Sequence, residues 1–258
     1  MDRAKKELGQ HWLEDASILE AIADAADLSA DDYVLEIGPG KGTLTEVLAS
    51  RSSQVLALEY DKDLIPQLKI LARAKEFTVV EGDVRTFDFG TLPEKYKIVA
   101  NIPYYLTSHL IRSISETLNP PEIAVLLIQK EVAQRLCAGP GKMSILAVTA
   151  QFYFECALDV EVPARYFAPP PKVDSQVVSL KHRPEKLFDV DEQKFFQLVK
   201  AGFSGKRKTM RNSLSGGLRV SKEEVESLLK NSGLKPGSRA QELSLDDWHK
   251  LFKEYNKA

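Results

Sequence analysis

Three polar side chains stand where short apolar runs end. Glu59 follows "QVLAL", Asp83 closes "FTVVEGD" and Asn101 follows "KIVA". Such runs read as buried strands, and in an open α/β sheet ligands bind outside the carboxyl ends of strands. A carboxylate at Glu59 can accept from both hydroxyls of a ribose, and it repels a ribose 2′-phosphate. A carboxylate at Asp83 can accept from the exocyclic amine of adenine. Pro103 ends strand pairing because it has no N–H to give. Asn101 to Tyr105 should therefore lie where a strand leaves its sheet. Taken alone, Asn-x-Pro is also a common way to turn a chain.

The loop "EIGPGKG" lies upstream of Glu59, between a strand and a helix. Glycines let the backbone turn sharply and let a ligand approach closely. The dinucleotide fingerprint needs a third glycine at position 43, but that residue is Thr, and Pro39 stiffens the loop. Pyrophosphate binding is the weaker reading. Glu59 and Asp83 at the ends of successive strands then describe an adenosine pocket without a pyrophosphate. S-adenosylmethionine is a ligand of that kind.

The elements that must position these residues follow from periodicity. Helices are expected over 16–26, 43–50, 62–74 and 107–118, with another running through Leu136. Strands are expected over 33–37, 54–61, 77–83, 122–129 and in the run ending at Asn101. Strands alternating with helices imply a parallel sheet covered on both faces. After Gly141 the pattern changes. A helix is expected over 143–152, then "CALDVEVP" and "SQVVSLKHR" read as a long hairpin at one side of the sheet. "RPEKLFDVDE" reads as a linker. Helical segments at 191–203, 207–214, 221–231 and 244–256 read as a small helical domain.

Composition narrows the class. The chain has 258 residues, 43% hydrophobic and 28% charged, as expected of a globular protein with one sizeable core and an appendage. No apolar stretch is long enough to span a membrane, and the N-terminus lacks the apolar core of a signal peptide. Cys137 and Cys156 have no metal spacing and suit a reducing cytoplasm. His11, His109, His182 and His249 are scattered, so no metal site is expected. The net charge of −2 says little, but its distribution says more. From Gln193 to Lys222 there are eight Lys or Arg and no Asp or Glu. Interleaved Phe, Ser, Asn and Thr suit a phosphate-contacting surface better than a floppy tail.

Five segments in order resemble the KsgA-type small-subunit ribosomal RNA adenine N6,N6-dimethyltransferases: "KKELGQHWLED", "EIGPGKGTLT", "NIPYYLTS", "FAPPPKVDSQVV" and "FSGKRKTMRNSL". The resemblance covers nearly the whole chain. It implies a Rossmann-like class I S-adenosylmethionine-dependent methyltransferase domain at 1–182, a linker at 183–190 and a small C-terminal all-helical, rRNA-binding domain at 191–258. It implies donor contacts from His11, Leu13, Gly38, Glu59, Asp83 and Asn101. The family more often has Asn-Phe where this chain has His11-Trp12, and many relatives have Asn where it has Tyr105.

The catalytic set implied by the resemblance is Asn101, Ile102, Pro103, Tyr104 and Phe167. The amino nitrogen of adenine is a poor nucleophile because its lone pair is delocalised into the ring. The Asn101 side-chain oxygen and the Ile102 carbonyl can draw it toward a tetrahedral geometry, with Pro103 holding both acceptors in place. Tyr104 and Phe167 face the two sides of the extruded base, and Pro169, Pro170 and Pro171 stiffen that wall. Lys206, Arg207, Lys208 and Arg211 hold phosphates around the target loop. The substrate is expected to be the 3′-terminal helix loop of 16S rRNA within a partly assembled small subunit, met by a cytoplasmic monomer. The rivals are a large-subunit rRNA methyltransferase of the antibiotic-resistance type and a non-catalytic assembly factor on the same scaffold.

Overall fold

A computed structural model describes residues 4–205 and 207–257. In chain order the elements are β1 (Trp12–Leu13), α1 (Ala16–Ala25), β2 (Tyr33–Ile37), α2 (Thr43–Arg51), β3 (Gln54–Glu59), α3 (Ile65–Lys75), β4 (Thr78–Glu81), β5 (Lys97–Asn101), α4 (Thr107–Glu116), β6 (Ile123–Gln129), α5 (Lys130–Leu136), α6 (Ile145–Tyr153), β7 (Phe154–Val162), β8 (Phe167–Ala168), β9 (Ser175–His182), α7 (Glu192–Gly202), α8 (Met210–Leu218), α9 (Lys222–Asn231) and α10 (Leu245–Tyr255).

Seven strands form one sheet in the order β4-β3-β2-β5-β6-β9-β7. The five from β4 to β6 are parallel, while β9 runs antiparallel to both β6 and β7. The sheet is therefore mixed rather than wholly parallel, and β7 and β9 form the expected hairpin at its side. Alternation along the strands separates the two faces. Val34, Val99 and Val125 join Ile18, Leu19 and Ile22 of α1 and Leu44 and Leu48 of α2 in one apolar cluster. Leu35, Ile98 and Leu126 lie on the opposite face and are also fully buried. Continuous apolar strands of this kind belong to sheets covered on both sides.

Strand order reverses between β2 and β5. In open α/β sheets such a switch point opens a crevice at the strand carboxyl ends. Gly38 follows β2 and Asn101 ends β5, so the fold places both at that crevice. The third parallel-sheet strand in chain order ends at Glu81, so Asp83 lies two residues past it rather than within it.

Two compact units emerge: residues 1–134 with 154–182, and residues 135–153 with 183–258. This corrects two boundaries of the sequence reading. The segment 135–153, expected in the first domain, groups with the helical unit because Met143, Ala147, Val148 and Phe152 belong to that unit's core. The expected linker at 183–190 is not a bare spacer, since Phe188 is buried in the same core with Leu187 and Val190 packed against it. Within this unit Trp248 is fully buried, and Gly202 lets its ring approach the backbone of α7. Ser221 and Ser244 close capping boxes at the starts of α9 and α10.

Candidate functional site

A cleft opens in the first unit at the switch point, with about 1080 Å³ of empty space including its mouth. His11, Leu13, Gly38, Glu59, Asp83, Asn101, Ile102, Pro103 and Tyr104 all line it. Gly40 and Gly42 of the loop after β2 have φ of 59° and 85°, in the left-handed region that favours glycine. At Gly42 a Cβ would also meet Leu71 at 2.5 Å.

The Glu59 carboxylate is buried at the end of β3, only 6% exposed. One oxygen accepts from the Gly40 N–H at 3.1 Å and the other from the Asp61 N–H at 2.7 Å. Burial pushes its pKa up, and these backbone donors oppose the rise. These donors leave the carboxylate with acceptor capacity for a ribose hydroxyl. Glu36, one strand over, is also buried, and its Oε2 has no hydrogen-bond partner among the described residues. Burial, with the Glu59 charge adding to it, pushes Glu36 up to about 8, so it is mostly protonated at neutral pH. Asp83 is the opposite case. Hydrogen bonds from the Arg85 guanidinium hold its carboxyl below the usual range.

Asn101 is oriented by its neighbour across the cleft. Its Nδ2 donates to the His11 carbonyl at 3.3 Å. A carbonyl can only accept, so the nitrogen must face it and Oδ1 is left as the acceptor. His11 thus contributes a backbone contact. Its ring does something further: Nδ1 lies 2.7 Å from the Pro169 carbonyl, so it carries the proton, and the ring stacks on Tyr104 with centroids 6.0 Å apart. The N-terminal segment is tied down in turn. Lys5 reaches Asp61 and Asp63 at 2.6 Å each, and Gln10 donates to Asp61 at 2.8 Å.

Phe167 does not join the others. It pairs through its backbone with Leu13 where β8 meets β1, and its ring is buried in the apolar cluster that contains Leu13. Among the described residues it does not line the cleft. The basic residues lie in the second unit. Lys206 falls outside the described residues. Arg207 and Lys208 are exposed, and Arg211 pairs with Glu226 at 2.7 Å. Sequence reasoning missed Arg85, Ser175, Gln10 and Asp61. Ser175 and Gln10 fall inside quoted motif segments, whereas nothing in the pattern marks Arg85 or Asp61.

The sequence profile of ribosomal RNA adenine dimethylases matches residues 1–257. The chain belongs to this family. It is 40% identical over 262 residues to the ribosomal RNA small subunit methyltransferase A of Dehalococcoides mccartyi strain CBDB1, covering 98% of this chain and 89% of that protein. The protein of the same name from Synechococcus elongatus is 39% identical over 95% of this chain and 92% of its own. Two solved structures are similar throughout. A dimethyladenosine transferase from Plasmodium falciparum superposes with a TM-score of 0.82 at 27% identity, over 96% of this chain and 98% of that one. The 23S rRNA methyltransferase ErmE superposes with a TM-score of 0.78 at 31% identity, over 95% and 99%. The α/β unit of this adenine dimethylase is accordingly a class I methyltransferase fold, and S-adenosylmethionine is the methyl donor. No helix among the described residues is long and apolar enough to cross a membrane.

Proposed function

We propose that this dimethylase transfers methyl groups from S-adenosylmethionine to N6 of two adjacent adenines in the 3′-terminal helix loop of small-subunit rRNA. The observation that carries the reading is the Asn101 amide, whose nitrogen is held by the His11 carbonyl so that its oxygen is left as an acceptor at the cleft, next in the chain to Ile102. The similarity to proteins named as small-subunit methyltransferases favours the small subunit over the large one.

The residues divide the work. Glu59 accepts from the ribose hydroxyls, Asp83 accepts from the donor's adenine amine, and the glycine turn lets the backbone approach. The donor supplies a methyl on a positively charged sulfur, already a strong electrophile. Asn101 Oδ1 and the Ile102 carbonyl accept from the target amine and localise its lone pair. The nitrogen–carbon bond forms as the carbon–sulfur bond breaks, and the nitrogen then sheds its proton to water. Tyr104 stacks on the base, which must be unpaired or flipped out. Pro103, with no N–H and a fixed φ, keeps the acceptors from drifting. The exposed Arg207 and Lys208 hold phosphates, and the protein acts as a cytoplasmic monomer on a partly assembled subunit.

The test is labelled methyl transfer to unmethylated small subunits, with the product nucleoside identified by mass spectrometry. Dimethyladenosine near the rRNA 3′ end, lost in Asn101→Ala and Glu59→Ala, is the expected result. Transfer only to large-subunit RNA would move the protein to the resistance branch. Tight subunit binding with no transfer would make it an assembly factor.

A further inference from the structure

Asp61 is a buried carboxylate, 5% exposed, with no part in the donor and target contacts assigned above. It sits two residues past Glu59, and its backbone N–H donates to Glu59 Oε1 at 2.7 Å. Its side chain grips the N-terminal segment. Oδ1 accepts from Lys5 Nζ at 2.6 Å, and Oδ2 accepts from Gln10 Nε2 at 2.8 Å. The other end of the Gln10 amide is used as well, since its Oε1 accepts from the Lys5 backbone N–H at 2.7 Å. Lys5, Gln10 and Asp61 thus close a ring of hydrogen bonds. Burial alone would raise the Asp61 pKa, but the bonds from Lys5 and Gln10 hold it below the usual carboxylate range, so the anchor is charged at neutral pH.

The place of this ring in the chain matters for Asn101. Gln10 directly precedes His11, whose carbonyl accepts from Asn101 Nδ2 at 3.3 Å. That is a long hydrogen bond, and a small drift of the carbonyl breaks it. The carbonyl lies in the peptide plane between His11 and Trp12, so its direction is fixed only while the chain is held on both sides. Downstream, Trp12 pairs with Ala168 and Leu13 with Phe167, and the Thr43 hydroxyl donates to the Leu13 carbonyl at 2.8 Å. The His11 ring adds its contact with the Pro169 carbonyl. Upstream, the ring of bonds on Asp61 supplies the tie. Without it the Asn101 amide loses its fixed orientation, and in the flipped state it presents N–H donors to an amine that also donates.

We propose that Asp61 is a positioning residue for methyl transfer, holding the His11 carbonyl against Asn101 through Gln10 and Lys5. This rests on the reading of Asn101 as the acceptor for the target amine. Asp61 touches the donor side through its backbone alone, by the N–H on Glu59. Side-chain substitutions in the ring therefore leave that bond in place and separate rate from donor affinity.

Gln10→Ala tests this on the full chain, because Gln10 is partly exposed and lies outside the apolar core. Single-turnover transfer at saturating S-adenosylmethionine should fall about three- to tenfold, as loss of one aligned hydrogen bond implies. Calorimetry with S-adenosylhomocysteine, the product, should show an affinity within about twofold of the parent, since the lost contact acts on the rate. Lys5→Met should act in the same direction, and Lys5→Arg, which retains the cation, should keep the parent rate. In the protein without donor, backbone hydrogen exchange across residues 8–12 should speed up in Gln10→Ala. In an Asn101→Ala background Gln10→Ala should lower the residual rate no further. An equal rate loss in both backgrounds, an unchanged rate, or a fall in affinity as large as the fall in rate would each overturn the positioning role. If Asn101→Ala itself leaves the rate unchanged, the acceptor reading fails first and takes this proposal with it.

Discussion

The Tyr104 hydroxyl lies 2.7 Å from the hydroxyl of Ser175, which is fully buried at the start of β9. This bond joins the segment leaving β5 to the strand after the proline-rich motif. It fixes the tilt of the Tyr104 ring, whose other contact is the His11 stack. Ser175→Ala should therefore lower single-turnover methyl transfer about three- to tenfold, as loss of one hydrogen bond implies. Donor affinity should hardly move. Ser175→Thr should restore the rate, and in a Tyr104→Phe background Ser175→Ala should add nothing. An equal loss in both backgrounds would make Ser175 a packing residue only.

Glu36 gives the stability of the fold a pH dependence. Its ordinary value is near 4.5, and in the folded protein it holds its proton to about 8. Between those values the folded state binds more protons than the unfolded one, so stability falls as pH rises and levels off above about 8. Glu36→Gln removes the titration. The melting temperature of the variant relative to the parent should climb steadily as buffers step from acid to alkaline across that window. A constant difference across it would mean Glu36 titrates normally.

The strands and the cleft were largely legible in the sequence, because β3, β5 and β6 have apolar interiors and end at polar residues. Glu59 and Asn101 could be placed for that reason. Partners set by tertiary contact could not. Ser175 is 71 residues from Tyr104, and no periodicity links two hydroxyls at that separation. The burial of Phe167 in the apolar cluster was not legible either, because a motif says which residue is aromatic but not which way its ring turns. The helix expected at 207–214 is instead Met210–Leu218, since Thr209 takes the N-cap position and Gly216 and Gly217 do not end the helix. Gly217 is there because a Cβ would strike Ala201 of α7, a packing reason invisible to propensity. The segment 135–153 was misassigned because a helix between two strands reads as a crossover whichever core it joins.

Lys97 separates stability from chemistry. Its ammonium is buried at the start of β5, 2.9 Å from Asp32 and hydrogen-bonded to the carbonyls of Ala26 and Asp27 at 3.2 and 2.7 Å. All three N–H donors are thereby used at the end of α1, where a cation complements the helix dipole. Lys97→Met leaves Asp32 and two carbonyls without their partner and should cost ~3 kcal/mol. For a chain of this size that lowers the melting temperature by about 6–12 °C. Asn101 stands at the other end of the same strand, roughly 13 Å away at the usual rise per residue. Transfer rates measured well below the melting temperature should be unchanged. A large rate loss would show that the strand transmits the defect to the cleft.

The basic segment can be divided by its ion pairs. Arg207 and Lys208 are exposed, while Arg211 is held by Glu226 at 2.7 Å. If the first two contact phosphates, Arg207→Ala with Lys208→Ala should reduce the log-affinity against log-salt slope by about 1.4–1.8, the value for two neutralised phosphates. Arg211→Ala should do less, because its guanidinium is already committed to a carboxylate. Glu226→Gln then becomes the informative variant: it releases Arg211 and should tighten rRNA binding most at low salt, where the added charge is least screened. Filter binding of the rRNA fragment across a salt series reads both effects. An unchanged slope in the double variant would place the phosphate contacts elsewhere on the helical unit and leave Arg207 and Lys208 as a solvated face.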